Sequence, residues 1–192
     1  MNETELNSIL SALRSPRLEL RSALPLLPSA PGLYAIYGDT LTWKSIGIGE
    51  PVDDLPLYVG KAEDSLAQRD INTHFGNGRT GSSTVRRSFA ALLRQELDLA
   101  GMPRNPLKPG YFSSYGLSPA GDAKLTQWMR ERLQIAVWPS DSTQPLATIE
   151  QLVLTRLNPP LNIAGVNHRW KAHVQQQRRV MADQARNWPL SA

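Results

Sequence analysis

The chain has 192 residues, of which 41% are hydrophobic and 20% charged, and it carries a net charge of +4 with an isoelectric point of about 9.6. That suits one globular domain with a real core and room for an appendage. There is no cysteine, which excludes disulfides and thiolate metal sites and fits a reducing, cytoplasmic setting. The opening MNETELNSIL does not read as a signal peptide, and no segment reaches the roughly 20 apolar residues of a membrane span, so no membrane partner is expected.

Most of the basic residues are arginine, the side chain best shaped to grip a phosphate with two hydrogen bonds. They are unevenly spread. From Gln151 onward come Arg156, Arg169, Lys171, Arg178, Arg179 and Arg186 against the single acid Asp183. A basic tail hints at nucleic acid, although basic ends are common in soluble proteins.

In chain order, residues 3–27 show helical spacing at Leu6, Ile9, Leu10 and Leu13, broken by prolines into a peripheral helix and a loop. PGLYAIYG (31–38) is a short strand. DTLTWKSIGIGEPVDD reads as a loop with some extended structure, and LPLYVGKA (55–62) as a second strand, so the two form an antiparallel hairpin. Ser65 caps a helix with Leu66, Arg69 and Asp70. The glycine-rich HFGNGRTGSS is a loop. It lacks the Gly-Lys-Ser/Thr ending of a P-loop. A helix follows from Thr84, with Gly101 as its stop. Residues 102–119 form a long excursion. DAKLTQWMRERL is a helix, QIAVWPS a strand, and ATIEQLVLTRL a helix ended by Pro159-Pro160. A polar, basic helix covers roughly 165–187. This order of elements argues for a small α/β or α+β domain.

Three features carry chemistry. Glu150 has Leu146, Val153, Leu154 and Leu157 on its helical face, so its carboxylate lies on the packing side and must be neutralised, paired or bound to metal. Tyr34 and Tyr58 occupy the middles of the two hairpin strands. Cross-strand packing explains a strand tyrosine, yet Gly60 strips the side chain beside Tyr58, and Lys61 brings a cation close to both phenols if the strands pair. Arg86 and Arg87 open a helix beside Ser82, Ser83 and Thr84, which makes either a phosphate site or a solvated first turn. His168 and His173 stand five apart, the wrong spacing for a metal pair on one helical face, and with Arg169, Trp170 and Lys171 they read as a DNA-contacting or solvated helix.

These residues resemble the GIY-YIG nuclease family, named for two short segments on adjacent strands. They read here as Gly32-Leu33-Tyr34 and Tyr58-Val59-Gly60, with Leu and Val in place of isoleucine. The family then has an arginine on the next helix, matched by Arg69, a glutamate on a later helix, matched by Glu150, and an asparagine beyond it, matched by Asn162. The resemblance covers roughly 31–165, between a peripheral N-terminal segment (1–30) and a basic C-terminal extension (166–192). It looks most like the restriction-endonuclease-type branch, some members of which use a lysine after the second motif and a histidine a helical turn past the arginine. Lys61 and His74 match these, His74 falling five residues after Arg69.

The resemblance implies a small central three-stranded sheet, mixed or antiparallel, flanked by helices, and a metal-dependent endonuclease acting on DNA, with RNA as an open alternative. Cutting both strands favours a homodimer or two binding events. Hydrolysis of a phosphodiester needs an activated water, charge stabilisation and help for the leaving oxygen. A phenol with a pKa near 10 is a poor base, which gives the Lys61 ammonium a task beside Tyr34. Tyr34 is then the base or water-positioning group, Tyr58 orients water or phosphate, Arg69 grips the phosphate, and Asn162 braces the site. Glu150 holds Mg²⁺ (or Mn²⁺), an ion that takes oxygen ligands and keeps several waters. Two rival readings stand beside it. One is a binder on the same fold that does not cut; the other is an unrelated domain whose tyrosines only pack, in which these residues would not converge.

Overall fold

The computed structural model describes residues 1–52, 54–67 and 74–189. Four antiparallel strands form one sheet in the order β1-β4-β2-β3. They are β1 (Leu18–Glu19), β2 (Gly32–Gly38), β3 (Tyr58–Ala62) and β4 (Leu133–Pro139). The central strand β2 pairs with β3 from Gly32↔Ala62 to Ile36↔Tyr58 and with β4 from Gly32↔Pro139 to Gly38↔Leu133. Gly32 sits where three segments converge: a β-carbon there would lie 2.2 Å from the Trp138 carbonyl oxygen.

The expected small sheet flanked by helices is present, with one strand more than the three read from the sequence. The extra strand lies within 3–27, where Leu18 and Glu19 pair with Ile135 and Gln134. Two helical expectations also change. The segment after β2 opens as α3 (Thr40–Ser45), because Asp39 caps it by accepting from the Thr42 amide at 2.8 Å. The helix starting at Thr84 ends at Leu92, well before Gly101. Beyond it the chain passes through turns, and Asp98 takes a left-handed φ of 51°.

Alternation along β2 divides the core. Tyr34 and Ile36 face one side, under α4 (Thr84–Leu92), α5 (Pro119–Arg132) and α7 (Lys171–Arg186). Leu33, Ala35 and Tyr37 face the other, with Val59 of β3. There α1 (Glu3–Ala12) and α6 (Leu146–Leu157) cover the sheet with Ile9, Leu10, Ile149 and Val153. A capping box between Asn2 and Glu5 starts α1. The short α2 (Leu20–Ala23) follows β1 directly. The basic tail helix α7 is anchored: Val174, Met181, Ala182 and Ala185 are buried. Ahead of it, the Trp170 indole donates to the Ile48 carbonyl at 2.8 Å. No described helix is long and apolar enough to cross a membrane.

Candidate active site

The sheet register puts Tyr34 directly opposite Gly60. Residues opposite each other on neighbouring strands share a face, so the Tyr34 ring lies over the bare glycine. A β-carbon at Gly60 would fall 2.4 Å from the Tyr34 hydroxyl oxygen and 2.9 Å from Cε1 of Tyr58. The glycine between the phenol and the lysine is therefore a space requirement. Tyr34 is almost fully buried and Tyr58 partly so.

His74 completes a triangle of rings. Its centroid lies 5.8 Å from that of Tyr34 and 6.3 Å from that of Tyr58, and the two tyrosines are 6.2 Å apart. Nδ1 of His74 is 2.6 Å from the Ser83 hydroxyl, which also caps α4 by accepting from the Arg86 amide. Burial, with the Arg86 charge adding to it, pulls the His74 pKa down to about 4, so the imidazole is neutral at pH 7.

Arg86 does not reach solvent, so its position at a helix start does not give it the expected phosphate role. Its side chain is fully buried and paired with Asp122 at 3.0 Å. It also donates to Thr126 Oγ1 at 2.9 Å and to the His74 carbonyl at 3.2 Å. The Asp122 carboxylate in turn accepts from the Gly78 amide and the Thr80 hydroxyl. This buried pair fixes the glycine-rich loop and the backbone of His74. Its neighbour Arg87 is half-buried, donating to the Gly81 carbonyl at 2.8 Å and to Thr84 Oγ1 at 3.2 Å.

Lys61 also departs from expectation. Successive residues of β3 alternate faces, so Lys61 points with Val59 toward α6, away from the face of Tyr58 and Gly60. There it pairs with Glu63 and lies beside Glu150. Glu150 is half-buried; burial raises its pKa, Lys61 lowers it, and Glu63 raises it again. The phenols and the carboxylates thus approach the outer strand from opposite faces. Glu63 had no signal of its own in the sequence beyond standing two residues past Lys61.

The two carboxylates, Glu150 and Glu63, would suit a hard divalent cation completed by water and phosphate. The burial that disfavours ionised Glu150 would be offset by such a charge. Among the described residues no three His, Asp or Glu side chains gather as a metal-holding group.

Asn162 brackets β3 from outside. Its side-chain oxygen accepts from the Val59 amide at 2.9 Å, and its side-chain nitrogen donates to the Val59 carbonyl at 2.8 Å. Arg169 is exposed and stacks on Trp170 at 4.4 Å, and Lys171 donates to the Val166 carbonyl at 2.7 Å. Arg69 lies outside the described residues, as does the helix expected around it.

Compared with known protein families, residues 51–181 match the GIY-YIG catalytic domain. The match covers more than half of the chain and includes Tyr58, His74 and Glu150. Searches of curated proteins and of solved structures gave no match.

Proposed function

The chain belongs to the GIY-YIG catalytic-domain family, a nuclease family, and from that premise we propose that it is a metal-dependent endonuclease hydrolysing DNA phosphodiester bonds. The observation that carries this reading is the packing of Tyr34 across Gly60 with Tyr58 and His74 around it. Such a cluster of two phenols and a neutral imidazole, built on a strand stripped to glycine, suits positioning of water and phosphate better than packing alone.

The proposed roles follow. Tyr34 positions the attacking water and takes its proton while handing its own phenolic proton to His74, and Tyr58 orients the phosphate. The neutral His74 accepts a hydrogen bond or proton from this pair. Arg69 grips the scissile phosphate. Glu150, with Glu63 near it, holds Mg²⁺ or Mn²⁺, and Lys61 favours the ionised form of Glu150. When bound, the metal polarises the phosphate and offsets the negative charge that develops on it. Asn162 acts through Val59, keeping the strand between Tyr58 and Gly60 in register. Because β3 is the outer strand, a phosphate beside it past Val59, the position that Asn162 covers, would be reached from both faces. Lys61 and His74 support assignment to the restriction-endonuclease-type branch.

The test is nicking of supercoiled plasmid with Mg²⁺ or EDTA, comparing wild type with Glu150→Ala. Metal-dependent nicking by wild type alone is expected. Salt-sensitive DNA binding without nicking would favour a non-cutting binder, and cleavage of RNA alone would reassign the substrate.

A further inference from the structure

Arg86 and Arg87 are adjacent on α4 and are treated in opposite ways. The fold gives Arg86 a buried carboxylate. Arg87 has none among the described residues. There the charges that act on it are Arg178 and Arg104, of its own sign, and the phenols of Tyr115 and Tyr58 lie within electrostatic reach. Arg178 comes from the tail helix α7, with the same two phenols within electrostatic reach. One guanidinium nitrogen of each, Arg87 Nε and Arg178 Nη1, is buried with no hydrogen-bond partner among the described residues.

Desolvated cations without an anion are unfavourable, and orphaned donors add to that. Burial lowers the pKa of both groups, that of Arg87 to about 10. Tyr115 does not relieve them by ionising: burial pushes its pKa up, and its hydroxyl donates to the Arg87 carbonyl at 2.5 Å. Arg178 also lines a cleft of about 400 Å³, whose wall includes Ser113, Ile163 and the ion pair of Arg186 with the acid Asp183. Tyr58, within electrostatic reach of both arginines, links it to the tyrosine cluster.

We propose that Arg87 and Arg178 form a second phosphate site, which holds a nucleic-acid backbone phosphate next to the one at Tyr58. The tail helix thereby contributes a substrate-binding residue. This rests on the nucleic-acid substrate argued above but not on cutting.

The test is binding of a fluorescent DNA duplex in EDTA across a salt series, with wild type, Arg178→Met, Arg178→Lys and the exposed control Arg156→Met. Arg178→Met keeps the bulk of the side chain and removes the charge. It should reduce the slope of log K against log salt by about 0.9, one phosphate contact. Affinity at 0.15 M salt should fall roughly tenfold, the value of one charge-assisted hydrogen bond. Arg178→Lys should keep the slope, and Arg156→Met should leave slope and affinity unchanged. Thermal melting of Arg178→Met should not fall below wild type, since a desolvated charge has gone.

An unchanged slope in Arg178→Met overturns the site, whatever the melting temperature does. Stabilisation of wild type by inorganic phosphate with an unchanged DNA slope also overturns it and assigns a free anion instead. Plasmid nicking by the same proteins separates the two readings. Glu150-dependent nicking with no effect of Arg178 on the slope removes only this site. An Arg178-dependent slope without nicking removes only the cutting, and absence of DNA binding by wild type removes both.

Discussion

Replacing Gly60 by alanine tests the tyrosine cluster most directly. The added methyl would lie 2.4 Å from the Tyr34 hydroxyl, 2.6 Å from its Cζ and 2.9 Å from Tyr58 Cε1, whereas carbon contacts relax at about 3.5–4.0 Å. Tyr34 is only 1% exposed and is flanked by His74 and Tyr58, so it has no free direction in which to swing. Overpacking of this kind costs about 1–3 kcal/mol. Alanine recovers about 0.5–1 kcal/mol relative to glycine in a strand, so the net loss is at most about 2.5 kcal/mol and centres on about 1 kcal/mol. For a chain of this length a loss of about 1 kcal/mol lowers Tm by about 2–4 °C. Activity should suffer more, because displacing a positioned group by about 1 Å slows a reaction about 100-fold. The assay is plasmid nicking beside thermal melting, with Gly110→Ala as control, since a β-carbon there meets nothing within 4 Å. Adding Tyr34→Phe removes only the nearest clashing atom and leaves Cζ at 2.6 Å, so it should relieve part of the loss in stability without restoring cutting. A Gly60→Ala protein that melts and nicks like wild type would refute the reasoning.

Three further outcomes are expected. Asn162→Ala leaves the buried Val59 amide and carbonyl without partners, at about 1–3 kcal/mol each, and urea unfolding should register a loss of at least about 2 kcal/mol. Asp122→Asn strands the Arg86 charge in the core, a loss of about 3–5 kcal/mol by denaturant titration, and Arg86→Met in the same protein should recover much of it. His74, with a folded pKa of about 4 against 6.5 unfolded, binds fewer protons folded than unfolded between those values. Stability is therefore fully present above about pH 6.5 and falls toward pH 4 by about 3 kcal/mol, a slope that His74→Gln should flatten.

The sequence carried the sheet, most of the helices and the family, because strand alternation, caps and short motifs are local signals. Tyr34 and Tyr58 were legible for that reason, and Gly60 was legible as a site of close approach. The side toward which Lys61 points was also legible in principle: counting alternate residues from Tyr58 separates it from the phenols. Arg86 was not read correctly from its hydroxyl-rich surroundings. Its helical neighbours Phe89 and Ala90, at i+3 and i+4, are apolar and mark an inward face, but the decisive partner, Asp122, is 36 residues away. Arg178 carries the same cue, lying four residues after Val174 and three before Met181, both buried. The pairing of β1 and the meeting of Glu63 with Glu150 are tertiary outcomes that no local pattern announced.

The Asn162 bracket has a consequence for how the chain reaches its folded state. An outer strand presents unpaired amides and carbonyls to any passing strand, which invites edge-to-edge aggregation. Here a single side-chain amide occupies the ladder position at Val59, and the Leu161 amide donates to the Leu57 carbonyl beside it at 2.9 Å. The seal comes from a residue 103 positions along the chain, so it is a late contact, formed after local structure has collapsed. Until then the strand that carries Tyr58 and Gly60 is exposed at its edge, and a protein lacking the asparagine should be prone to self-association during refolding even where its native state survives.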